Sequence, residues 1–182
     1  MNLIKTITRL TTGAIAGSFI ISGVALGQNN PKLSDAEVAS VAVTANQIDI
    51  DYAAIAKKKS KNEAVLQFAE TMANDHKAVI DQAVALVTKL NVTPQDNAVS
   101  KQLLADAEKS KTKLNALTGK AFDKAYIDNE VTYHKAVIDA VEGLLIPETE
   151  NAELKELLQN VVPALKGHLE HAQMIQKKHA SK

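Results

Sequence analysis

The chain of 182 residues contains no cysteine and no tryptophan, and Arg9 is its only arginine. The missing cysteine excludes disulfides, thiolate catalysis, cysteine-ligated metals and a lipidated N-terminal cysteine. A nucleic-acid partner would want a basic surplus and guanidinium forks, and neither is present with 21 basic against 21 acidic residues. Aromatics are scarce, at three Phe and three Tyr. Of seven glycines, only Gly119, Gly143 and Gly167 lie beyond residue 27. There is no Gly-rich phosphate loop, no G-x-S-x-G and no H-E-x-x-H. No β-barrel pattern is present, which argues against an integral barrel.

What is there begins with a targeting signature. Lys5 and Arg9 precede an uncharged run from Leu10 to Gly27, which closes on Ala25-Leu26-Gly27. A basic start, a short apolar stretch and a small-x-small site predict a secretory signal peptide over residues 1–27. The run is too short and too rich in Gly and Ser for a comfortable membrane span. Its removal would leave 19 lysines against 21 acids. Residues 28–33 then read as a linker, 34–178 as one helical domain and 179–182 as a tail. Export to the periplasm or the outer membrane is expected, alongside an envelope partner that no motif identifies. No feature sets an oligomeric state. Lysine-rich amphipathic helices could lie on an anionic membrane surface, although their polar faces mix Lys with Asp and Glu, as a solvated exterior does.

Ala, Leu, Lys, Glu, Asp and Gln dominate the domain, a helical composition. Ser34 with Glu37 forms a capping box, and Val38, Val41, Ala45, Ile48, Tyr52 and Ile55 follow at helical spacing. A second stripe runs Val65, Ala69, Met72, His76, Val79, Ala83, Leu86, Leu90. A shorter, weaker helix spans 97–117. A fourth covers 120–146 with the stripe Ile127, Glu130, His134, Val137, Val141, Leu144, ended by Pro147. The last covers 149–178 through Leu154, Leu158, Val161, Leu165, His168, Ala172 and Ile175. Pro163 falls inside it and predicts a kink or break near 159–163. The hexapeptide His76-Lys77-Ala78-Val79-Ile80-Asp81 recurs as His134 to Asp139, so those two helices are expected to present equivalent faces.

Four helices of roughly 25–30 residues with single apolar stripes predict an all-α, four-helix bundle. The short helix between the second and third bundle helices is long enough to cross back along it. One such crossover is the ferritin-like topology. Counting residues from the turns places His76 level with His134. A neighbouring layer would hold Asp51, Glu130, His168 and His171.

Those residues are the candidate metal ligands. Glu130 and His134 at i,i+4 share one helix face, and can chelate an ion or form a hydrogen-bonded polar pair in the core. His168 and His171 at i,i+3 are a usable two-ligand motif, or a rim and a solvated histidine. His76, in a core position, is a ligand or a satisfied core histidine. Asp51 flanks the first stripe and is the weakest of the set. Asp49 is expected on the surface. A ferritin-type di-iron centre also needs Glu-x-x-His pairs, yet Ala73, Leu165 and His168 stand where those glutamates would. The histidine-rich, carboxylate-poor set suits zinc, copper or nickel better than oxygen-bridged iron.

Met72-Ala73-Asn74-Asp75-His76, the stretch Ala125 to His134, and His168-Leu169-Glu170-His171-Ala172-Gln173 together carry a resemblance. The chain resembles the bacterial exported family called domain of unknown function 4142, labelled predicted outer membrane protein. The resemblance spans roughly 33–176 and implies a ferritin-like fold and export, with no established reaction. The reading that follows is an exported, non-enzymatic helical bundle. The alternative is a bundle that binds a transition metal (zinc, copper, nickel or iron) through His76, Glu130, His134, His168, His171 and Asp51.

Overall fold

The computed structural model describes residues 31–180, and the side chains of 31–178. The expected signal peptide and the first half of the linker lie outside the described residues. The described chain is helical, with no strand. No helix in it is long and apolar enough to cross a membrane.

Helix α1, Asp35–Lys59, starts on the expected capping box: the Ser34 hydroxyl accepts from the Glu37 amide, and the Glu37 carboxylate accepts from the Ser34 amide. The Asn62 side chain accepts from the amides of Ala64 and Val65 to start α2, Glu63–Lys89. Asn97 does the same for α3, Ala98–Ala116. Helix α4, Gly119–Ala140, runs into a π-helical turn, Val141–Leu145, and one further turn, α5, Ile146–Glu148. Asn151 then caps α6, Ala152–Ala180, through the amides of Glu153 and Leu154. Each cap satisfies amides that a helix start leaves unpaired.

Neither proline breaks its helix. Pro147 does not end the fourth helix, because the chain widens to an i→i+5 bond from the Ile146 amide to the Val141 carbonyl and passes through Pro147 to Glu148. Pro163 breaks nothing: α6 runs uninterrupted through it. Pro163 and Gln159 both face solvent, so water can take the carbonyl that the proline leaves without an amide, while Val162 and Leu165 stay anchored in the core.

Helix α1 packs on α2, α3 and α4, and α6 packs on α2 and α4. Lys57 pairs with Glu70 and Asn46 meets His76, so α1 and α2 are antiparallel. Tyr133 donates to the Ala45 carbonyl and Ser60 to Asp123, so α4 also runs against α1. Lys166 pairs with Glu142 and Gln176 with Asp128, which sets α6 against α4. The four long helices thus form a ring of antiparallel neighbours, with α2 and α4 parallel across the diagonal. Helix α3 lies outside the ring, parallel to α1. The Gln95 amide bonds the Ala36 carbonyl at one end, and Lys59 bonds the Asn115 carbonyl at the other. It carries the chain from the end of α2 back to the start of α4.

Two apolar cores fill the ring. One holds Ile48, Tyr52, Val65, Phe68, Met72, Phe122, Tyr126 and Ile127, with Ala172 and Ile175. The other holds Val38, Val41, Ile138, Val141, Leu144, Leu154, Leu158 and Leu165. On α2, α4 and α6 alike, a histidine falls between the residues of one cluster and those of the other.

Candidate metal centre

The residues between the two cores come from four helices. Helix α1 supplies Asn46 and Asp49, α2 His76, α4 Glu130 and His134, and α6 His168. Asp49 and Glu130 are fully buried, and His134, His76 and His168 are 1%, 4% and 9% exposed. The imidazole centroids form a near-equilateral triangle: 5.7 Å from His76 to His134, 5.3 Å from His76 to His168 and 5.5 Å from His134 to His168. The expected two layers are therefore one.

Each ring is held from outside by an oxygen. His76 Nδ1 lies 2.7 Å from Asn46 Oδ1, and the Asn46 amide is itself oriented by its donation to the Ala42 carbonyl. His134 Nδ1 lies 3.0 Å from the Glu130 carbonyl, one helical turn back. His168 Nε2 lies 2.9 Å from Asp75 Oδ2. Each of these nitrogens donates, because its partner is an acceptor. The remaining nitrogen of each ring is thereby left with a lone pair. Those nitrogens, His76 Nε2, His134 Nε2 and His168 Nδ1, are buried and have no hydrogen-bond partner.

Asp49 reaches the same place. Its Oδ2 is 3.4 Å from His76 Nε2 and 3.6 Å from His134 Nε2, and neither of its oxygens has a hydrogen-bond partner. Glu130 Oε2 stands 3.5 Å from His134 Nδ1. Desolvation dominates the ionisation. Burial pushes the Asp49 carboxyl up to about 8, and burial, with Asp49 nearby, pushes Glu130 well above the usual carboxylate range. Burial also pulls His76 down to about 3, helped by the other two imidazoles, and His134 to about 4. The close Asp49–imidazole approaches are accordingly contacts between neutral groups, not ion pairs.

Ligand atoms of His76, His134 and His168 lie within 4.8 Å of one another, as do those of Asp49, Glu130 and His134. His134 belongs to both groups. Five groups from four helices thus converge on one small volume. Lone pairs facing one another in a dry core repel unless a cation sits between them, and imidazole nitrogen with carboxylate oxygen is the donor set of zinc-like divalent ions. Oxygen acceptors that fix the outer nitrogen of each imidazole are the usual support of metal-bound histidine.

The structure brings His76, Glu130, His134 and His168 together and leaves Asp51 and His171 aside. Asp51 is two residues from Asp49, about 200° around the helix. It accepts from Gln47 at 3.0 Å and faces Lys111 Nζ at 3.4 Å. His171 sits nearly one turn beyond His168, with its ring edge-on to Phe68 at 5.3 Å, in the aromatic core. The expectation that Asp49 faces solvent is corrected. Three helices pack on α1, so its buried face is wide and includes Asp49, Ala53 and Ala56 as well as Ile48 and Tyr52. The signal for Asp49 lay in its spacing, four after Ala45, four before Ala53 and seven before Ala56. Asp75 is exposed on α2 but reaches His168 along the α2–α6 seam.

A family model described as Domain of unknown function (DUF4142) matches residues 23–175. No curated protein and no solved structure matches the chain.

Proposed function

This chain belongs to the DUF4142 family of domains of unknown function, and from that premise we propose that it is an exported envelope protein whose ferritin-like helical bundle binds one divalent transition-metal ion. One observation carries the metal reading. Three imidazole nitrogens converge in the core beside the Asp49 carboxyl with only lone pairs of their own directed inward, while each imidazole donates its other N–H outward. A polar core built only to fix helix register would pair these atoms with one another, since an unpaired buried polar group costs free energy.

Charge supports the valence. Two ionised carboxylates, Asp49 and Glu130, balance one divalent ion among neutral imidazoles. Four donors from four helices, three of them imidazole nitrogens, favour zinc, with copper, nickel and iron as competitors to be ranked by titration. The near-complete burial of the donors suits a site that holds its ion rather than one that opens to a large substrate. The ferritin-like assignment is supported by the antiparallel ring and the crossover α3. Export is supported by the basic start, apolar run and small-x-small site within residues 1–27.

The test is equilibrium dialysis of the full chain against zinc, copper, nickel and iron separately, followed by elemental analysis. Close to one ion per chain for at least one metal is expected, and His134→Leu should abolish it. Retention below about a tenth of an ion per chain for all four would overturn the metal reading.

A further inference from the structure

Among the described residues, nine buried side-chain polar atoms have no hydrogen-bond partner, and they divide into two chemically different sets. Five are the atoms already assigned to the ion: His76 Nε2, His134 Nε2, His168 Nδ1 and both Asp49 oxygens. All five offer lone pairs once ion binding displaces the Asp49 proton, so one cation serves them all. The other four lie on α4: the Tyr126 hydroxyl, the Asn129 amide nitrogen and both Glu130 oxygens. This second set mixes donors with acceptors. A cation cannot take the Tyr126 proton, so the ion alone leaves that hydroxyl unserved.

Tyr126 and Glu130 are spaced i,i+4 and therefore share one face of α4, and both are fully buried. That face leads from the aromatic core into the metal cluster. Glu130 lies within reach of Asp49 and His134, and Tyr126 is one turn further into the core. An atom bound to the ion on that side would meet Glu130 first and the tyrosine hydroxyl behind it. We propose that the ion keeps one coordination position facing Glu130 and Tyr126, and that this position takes a small exogenous ligand of two or three atoms, with water as its resting occupant. The ligand would accept from the Tyr126 hydroxyl and, when it is an anion, from the Glu130 carboxyl, which then takes up a proton and donates it. Glu130 is then a partner of that ligand, and Asp49 the carboxylate that binds the ion. Full burial of Tyr126, Glu130 and Asp49 favours a small ligand over a bulky substrate. This inference rests on the metal reading above.

Azide is the probe, and cobalt(II) the reporter ion, because its visible absorption changes when a ligand is added or exchanged. The full chain is loaded with cobalt and titrated with azide. A saturable spectral change is expected in the native chain. Tyr126→Phe, which keeps the ring and removes the hydroxyl, should hold the same cobalt but bind azide about tenfold more weakly. Glu130→Leu, which removes that donor, should weaken azide similarly, and it decides the matter if the tyrosine variant fails to fold. Cobalt-loaded native chain that ignores azide would overturn the inference and leave the metal reading standing. Unaltered azide affinity in the folded variants would overturn it as well, by placing the open position elsewhere. A chain that retains no cobalt, zinc, copper, nickel or iron would overturn both.

Discussion

The apolar cores and the polar layer between them follow opposite rules. In the aromatic core, Phe68, Tyr126 and Phe122 stack or meet edge to face, and Tyr52 meets Tyr133 edge to face at 5.5 Å. There the helices gain stability from area removed from water. In the polar layer, two carboxyls have left water without recovering a hydrogen bond, and three imidazoles have each recovered only one. The cores hold the helices together, and the layer spends part of that stability to keep five groups poised. Functional sites are where such local costs are expected.

The sharpest test of this contrast exchanges the two kinds of residue. Phe68→Ala in the aromatic core should lower unfolding free energy by about 3–5 kcal/mol, read by denaturant titration, with metal content per folded chain unchanged. His134→Leu should do the reverse, removing metal while leaving the metal-free protein about as stable or more so. Equal loss of stability from both would erase the distinction.

Next in size is the pH dependence of the metal-free protein. The Asp49 and Glu130 carboxyls are raised in the folded state, so their contribution is full below the ordinary carboxylate range and is lost as pH rises through their folded values. The His76 and His134 imidazoles are lowered, so they destabilise as pH falls below about 6.5, where the unfolded chain takes up protons first. Between about 4.5 and 6.5 the two pairs oppose one another. Above 6.5 only the carboxyls act, and stability should fall toward pH 8 by up to about 1.4 kcal/mol per group per pH unit. Denaturant midpoints across that range check it, and Asp49→Asn with Glu130→Gln should flatten the slope. Metal loading should reverse it, since an ion favours the ionised carboxylates.

The smallest expected effect concerns the outer acceptors. Asp75 is exposed, and its removal should leave the cores untouched. Asp75→Ala frees the His168 ring and should weaken metal binding about 10–100-fold in competition with a chelator. An unchanged affinity would make that contact incidental.

The sequence made the apolar parts far more legible than the polar ones, for a physical reason. Periodicity reports which face of a helix is buried, and His76, His134 and His168 stood out because they interrupt apolar stripes. Asp49 interrupted nothing visible. Its row on α1 is built from Ala45, Ala53 and Ala56, which mark a close approach of other helices and carry little hydrophobic signal. His171 shows the limit of placing residues by counting turns, since nearly one turn carried it out of the layer to Phe68. Asn46 and Asp75 were invisible for a third reason. An acceptor that orients a ring need only reach it in space, and no spacing along one helix encodes that. Pro163 does not break its helix because the rule against proline concerns a lost amide, and there the orphaned carbonyl faces water.

X-ray absorption at the zinc edge tests the central claim most directly, on the full chain loaded with one equivalent of zinc. The expected first sphere has three imidazole nitrogens and carboxylate oxygen at about 2.0–2.1 Å, with the imidazole pattern lost in His134→Leu. A sphere of oxygens alone, unchanged by that substitution, would place the ion on surface carboxylates and contradict the buried site.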